Sequence, residues 1–190
     1  SILVHEMGHA LVQRHFGGRP RVVLYSLGGL AICDDCDRAP SSQILISLAG
    51  PAAGFLFAAL VLLVVRGVGH QLEFGRYAGF IGLLIPHWEP FESSALNELI
   101  FDLLWVNIFW GLVNLLPIYP LVGGRVSREL FTLNHPRRGI EQSLWLSIAC
   151  AGAFAAVGLM GLQSIFTAVF FGYLAYANYQ TLQAYQQHWR

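Results

Sequence analysis

The sequence predicts an all-α polytopic membrane protein of about five transmembrane helices, the first of them truncated, with a small β element after the first. Three observations carry this. Charged residues make up 12% of the 190-residue chain and hydrophobic residues 55%, whereas soluble domains are about 25% charged. Mean hydropathy is +0.55. The apolar residues also gather into runs long enough to approach or cross a hydrocarbon core of about 30 Å, separated by polar or glycine- and proline-rich stretches. We expect a single membrane-embedded domain over residues 1–190, with a core at 1–130, two further spans within 143–180 and a polar tail at 181–190. Eleven arginines, no lysine and 11 acidic residues give zero net charge, so no electrostatic reason for nucleic-acid binding exists.

The first span is expected over residues 1–16, ending where Gly17, Gly18 and Pro20 break the helical run. At 1.5 Å per residue it is about 24 Å long, short of the bilayer core. Because Ser1 lies directly inside an apolar helix, without a charged flank, the chain reads as a trimmed fragment and not as one that opens on a signal peptide. This helix carries His5-Glu6-Met7-Gly8-His9. Residues four apart share a helix face, so the two imidazoles can reach one metal ion. Glu6 is turned partly off that face, where its carboxylate meets a water on the metal rather than the metal itself. This is the HExxH pattern of zinc hydrolases. Ionisable groups among Ile2, Leu3, Val4, Ala10, Leu11 and Val12 are costly in a membrane and mark function.

Residues 21–27 are β-branched and aromatic enough for a short strand, and Gly28-Gly29 then offers a turn or a close backbone approach. An exposed strand edge beside a metal could hold an extended peptide, and a plain connecting hairpin fits the same residues. Cys33 and Cys36 form one CxxC in an acidic loop; it could be a redox couple or half of a zinc knuckle, and no second pair completes a four-ligand site. Cys150, among small residues, reads as a packing residue.

Residues 44–65 carry no charge and suffice for a second span. Near its start Gly50 and Gly54 form a GxxxG face suited to close helix packing. Residues 67–97 are mixed; the apolar patch at 78–88, broken by Pro86, is too short to cross and suits an interfacial or re-entrant piece. His70 and His87 have no partner at ligand spacing and read as interfacial polar residues. A third span is expected at 99–118, containing Asp102. It runs into Asn114, Pro117, Pro120 and Gly123-Gly124, an irregular stretch that membrane depth tolerates only where protein buries it or a cavity runs beside it. Asn114, able both to donate and to accept, could hold a substrate strand or tie two helices. The apolar run over 144–179 is too long for one helix and should fold as two spans, 143–161 and 164–180, hinged near 161–164.

Arg14, Arg19, Arg21, Arg38, Arg125, Arg128, Arg137, Arg138 and Arg190 then fall on one side, with only Arg66 and Arg76 on the other. The positive-inside rule puts the first group in the cytoplasm and the metal nearer the cytosolic face.

An HExxH helix, then Ala49-Gly50-Pro51, then Asn114-Leu115-Leu116-Pro117-Ile118-Tyr119-Pro120-Leu121-Val122-Gly123-Gly124-Arg125, in that order among spans, resemble the site-2 protease family of intramembrane zinc metalloproteases. Its shorter bacterial members, which act in sporulation and regulated membrane signalling, look most similar. The resemblance covers roughly residues 1–130. It implies Zn2+ held by His5 and His9, Glu6 as general base, Asn114 in substrate positioning, Gly28-Gly29 in the edge-strand region, and a transmembrane protein substrate received at the breaks around Pro117 and Pro120. The family pattern reads Leu-Asp-Gly-Gly where this chain reads Leu121-Val122-Gly123-Gly124, so a hydrocarbon stands at the third ligand position. Asp102 precedes Val122 by 20 residues, about 30 Å along one continuous helix, too far to substitute. The expected function is therefore an intramembrane zinc metalloendopeptidase cleaving near the cytosolic face, impaired in this form by Val122. The alternative is an inactive protease-like protein that binds transmembrane helices.

Overall fold

Fourteen residues of apolar helix, α1 (Ile2–His15), begin the computed structural model, which describes residues 1–25, 28–73 and 86–188. The end of α1 is set by Gly17, whose φ of +86° is the left-handed conformation that closes helices. The chain returns as an antiparallel hairpin, β1 (Arg21–Tyr25) with β2 (Gly28–Ile32). In its register Leu24 faces Gly29 and Val22 faces Ala31. Gly28 and Gly29 thus open a strand. Next come α2 (Pro40–Gly67), the short pair β3 (Leu72–Glu73) and β4 (His87–Trp88), and α3 (Ser94–Trp105). The part of the apolar patch at 78–85 lies outside the described residues.

The third span is not one regular helix. α3 passes into a π-helical turn at Val106–Trp110 and then α4 (Gly111–Asn114), and a new helix, α5 (Val122–Asn134), starts after the proline stretch. Asp102 and Val122 therefore lie on different helices, and Asp102 is exposed. α6 (Pro136–Met160) and α7 (Ile165–His188) follow, separated at residues 161–164, as the length of the apolar run requires.

The chain forms two compact units. The first comprises Ser1–Cys36 and Ala49–Val113, the second Asp37–Leu48 and Asn114–Arg190. In the first, Ala58 and Val65 of α2 pack with Trp88, Ile100 and Leu104. Asn97 fixes the entry to α3, its Oδ1 accepting from the Trp88 indole N–H (3.2 Å) and the Phe91 N–H (2.9 Å). His70 has a structural role there, Nδ1 donating to the Glu89 carbonyl at 2.6 Å while the ring stacks on Phe91.

In the second unit α6 packs against α7, with Leu144 and Ala151 buried on the first and Phe171, Leu174 and Leu182 on the second. The irregular stretch is strapped to this pair. Ser147 Oγ accepts from the Tyr119 N–H at 3.0 Å and lies 3.3 Å from the Pro117 carbonyl. Asn178 Nδ2 donates to the Tyr119 carbonyl at 2.6 Å. Buried Ile118 sits between these attachments. Polar groups that a helix would satisfy internally are thereby satisfied by side chains, the condition for irregular backbone in apolar surroundings.

Three helical stretches are long and apolar enough to cross a bilayer: Pro40–Gly67, Ser94–Asn114 and Arg138–Met160. Leu56, Leu60 and Leu63 of α2 and Phe166 and Val169 of α7 are exposed. Apolar surface on that scale needs lipid or protein to cover it. The expected first and fifth spans, on α1 and α7, are helices as anticipated but are not among the three.

Candidate metal centre

α1 brings its two histidines together as the four-residue spacing dictates. His9 Nε2 and His5 Nε2 are 3.2 Å apart, with the rings nearly perpendicular at 78°. Two nitrogens about 2.0–2.1 Å from one tetrahedral zinc are separated by about 3.3 Å, so the pair is spaced as ligands of one ion. Gly50 of α2 lies directly against the pair: a Cβ built on it would overlap His9 Nε2 and stand 2.8 Å from His5 Nε2, so the imidazoles rest on bare backbone that a larger residue would not leave them. Donor chemistry and spacing fit two of the ligands of a zinc ion.

Glu6 lies at 8% exposure. One flank of its side chain rests on the hairpin, where a Cβ at Gly29 would overlap Glu6 Cγ and lie 3.0 Å from Cδ. Buried Asn107 ties the start of α1 to the π-helical turn, Nδ2 donating to Ser1 Oγ at 2.8 Å and to the Leu103 carbonyl at 2.7 Å. Gly54, one turn beyond Gly50, meets Asn107 Oδ1 at an ordinary 3.4 Å. Both glycines of the GxxxG admit a neighbouring helix, as the motif implies: Gly54 meets the π-helical turn, and Gly50 meets α1 at its two histidines, a contact the motif alone did not identify.

In the second unit, half-buried Asn114 ends α4, Pro117 is half-buried, Pro120 is exposed after a cis peptide bond, and Val122 is buried in the first turn of α5. Gly28 is the residue that opens β2. Cys33 and Cys36 form a disulfide. Among the described residues the one group of three potential donors within 4.8 Å is Cys33, Asp35 and Cys36, and two of its members are committed to that bond. As metal ligands they would have to be thiolates.

Residues 1–157 match the family model described as Peptidase family M50. The chain belongs to peptidase family M50. Relatives within reach of its sequence include the zinc metalloprotease MJ0392 of Methanocaldococcus jannaschii, 24% identical over 180 residues, which cover 90% of this chain and 45% of that protein. Rip3 of Mycobacterium tuberculosis is 29% identical over 164 residues, 85% of this chain and 36% of the relative. The chain therefore spans less than half the length of the curated relatives it matches. Among solved structures, the site-2 protease from M. jannaschii superposes with a TM-score of 0.60 at 21% identity, covering 95% of this chain and 73% of the other. The fold is shared. M50 membership together with three apolar helices makes this an integral membrane protein.

Proposed function

We propose that this chain is the catalytic unit of an intramembrane zinc metalloendopeptidase that cleaves transmembrane protein substrates near the cytosolic face, with turnover impaired by Val122. The observation that carries the reading is the pair of Nε2 atoms 3.2 Å apart against the bare Gly50 backbone, beside buried Glu6, in a chain of peptidase family M50 whose relative MJ0392 is named a zinc metalloprotease.

His5 and His9 are the zinc ligands. Zinc supplies Lewis acidity toward water and a peptide carbonyl. Glu6 takes the proton of the attacking water and passes it to the leaving amide nitrogen. The β1–β2 hairpin, with Gly28 and Gly29, offers main-chain groups to a substrate strand. Asn114, Pro117 and Pro120 belong to the segment that receives it, since a helical substrate must unwind before its amides are accessible. On this reading α1 and α7 complete five spans, and the arginine distribution places the zinc toward the cytoplasm.

Val122 supports a second reading, a silent family member that binds transmembrane helices without cutting them. Catalytic zinc sites use three protein ligands, and the histidine pair supplies two. The two readings part on one experiment: zinc per chain, and cleavage of a single-span substrate, for the purified protein and for Val122→Asp. The protease reading expects substoichiometric zinc and little cleavage in the unaltered chain, with zinc near one per chain and chelator-sensitive cleavage after the substitution. Strong cleavage by the unaltered chain overturns the impairment; Val122→Asp protein that takes up no zinc and cuts nothing favours the silent binder.

A further inference from the structure

Glu6 is the one HExxH residue whose direction the metal does not fix. A ligand is held by the bond it makes; a general base must be aimed by its surroundings, and a misplacement of about 1 Å can cost about 100-fold in rate. What aims Glu6 is on the hairpin.

A Cβ on Gly29 would overlap Glu6 Cγ, lie 3.0 Å from Glu6 Cδ and 3.1 Å from Leu24 Cδ2. The point of overlap is a carbon in the middle of the side chain, so relief would require the whole carboxylate to swing. The position of that methyl is set by the strand backbone, and its other neighbour is only the exposed end of Leu24, its register partner across the hairpin, so Glu6 is the group that would have to move. Glu6 itself is buried, which limits the alternative rotamers open to it. The backbone of β2 at Gly29 is therefore a wall against which the Glu6 stem lies.

We infer that Gly29 is the positioning residue of the general base, the strand presenting bare backbone at this register so that the hairpin fixes the direction of the Glu6 carboxylate. The inference rests on the protease reading above. It assigns the hairpin a second task besides receiving a strand, and the two are separable, since a strand that only binds substrate sets KM whereas one that aims Glu6 sets kcat.

The test is a double-mutant cycle of Gly29→Ala and Glu6→Ala, read by melting in detergent and, in zinc-loaded Val122→Asp protein, by cleavage of a single-span substrate. Gly29→Ala is expected to lower the melting temperature by about 2–4 °C or more when Glu6 is present. It should cost nothing when Glu6→Ala has removed Cγ. Zinc per chain should stay unchanged, kcat should fall about 10- to 100-fold, and KM should move less than about 2-fold. Equal melting shifts in both backgrounds overturn the contact, and a rise in KM at constant kcat overturns the positioning role. A parent that binds zinc but cleaves nothing overturns the protease reading and the base role with it, while the melting cycle still decides whether Gly29 holds the Glu6 side chain.

Discussion

Gly50→Ala is the sharpest perturbation of the metal centre, because it keeps every donor residue and removes only the bare backbone against which the two imidazoles lie. The added methyl stands 2.8 Å from His5 Nε2 and overlaps His9 Nε2. Comfortable contact needs about 3.5 Å, so the His5 ring must retreat by roughly 0.7 Å and the His9 ring by more. Metal–ligand distances tolerate about 0.2 Å. At least one imidazole is therefore lost as a ligand. Disturbing an outer-shell partner alone costs 10- to 100-fold in affinity, so losing a ligand should cost at least about 100-fold, roughly 2.8 kcal/mol. The assay is zinc per chain and zinc affinity by calorimetry in detergent, in the Val122→Asp background, with Gly54→Ala as the control. Gly54 has ordinary clearance toward Asn107 Oδ1, 3.4 Å, and its variant should bind zinc as the parent does. In a helix interior alanine is favoured over glycine by about 1 kcal/mol, so backbone propensity gives no reason for Gly50→Ala to unfold. Zinc bound by Gly50→Ala with parental affinity would refute the claim that the close approach of Gly50 sets the two imidazoles in ligand geometry.

Glu6→Gln keeps the shape and burial of the side chain but cannot accept a proton; zinc content should be unchanged while cleavage by the Val122→Asp parent falls by at least about 100-fold, and loss of zinc instead would make Glu6 a ligand. Ser147→Ala leaves the Tyr119 N–H without its 3.0 Å partner. The expected cost is about 1–3 kcal/mol, seen as a drop of several degrees in melting temperature, against little change for Ser127→Ala, whose hydroxyl donates to the Gly123 carbonyl of its own helix. Asp37, ahead of α2, has its carboxyl held below the usual range by the Ser42 hydroxyl first and then by the backbone N–H of Ala39. A depressed folded-state pKa means stability present above the unfolded value near 3.9 and lost as pH falls through the folded one. The melting difference between wild type and Asp37→Asn should therefore be full at pH 7 and shrink below about pH 4. A difference that grew on acidification would contradict this.

Periodicity and breakers were legible where they act locally. The four-residue histidine spacing, the stop at Gly17 and the division of the last apolar run all emerge in the structure at or near the expected residues. Apolarity was a poorer guide to helix ends. α2 begins at Pro40 rather than residue 44, and α7 continues to His188 beyond residue 180, because a helix leaving an apolar layer keeps its own hydrogen bonds in polar surroundings. The π-helical turn at Val106–Trp110 could not be read at all: nothing in that apolar run breaks a helix, and only Asn107, buried and bonded to Ser1, hints that the turn serves a tertiary contact. The close approaches expected at Gly50 and Gly29 are present, but what each glycine lies against could not be read for the same reason. Each is defined by what a side chain would strike on another element, and that information exists only after folding.

Val122 is where sequence and structure press hardest on each other, and Val122→Asp should show it in stability before any activity is measured. The residue is 7% exposed, in the first turn of α5, after an N-cap, Leu121, whose side chain makes no capping bond. A helix N-terminus favours a negative charge by about 0.3–1 kcal/mol, so the backbone accepts aspartate there. Burial opposes it, because a carboxylate out of water without a partner is costly. The two effects leave the metal-free variant less stable than the unaltered chain. Zinc at about 100 times its Kd adds roughly 2.7 kcal/mol, or about 5–11 °C at 2–4 °C per kcal/mol. The unaltered chain, with two imidazoles alone, should gain less than about 2 °C at the same zinc concentration. Melting both proteins with and without zinc decides the matter: equal zinc shifts would mean that position 122 does not take part in the metal site, and Val122 would then be an ordinary core residue with no bearing on turnover.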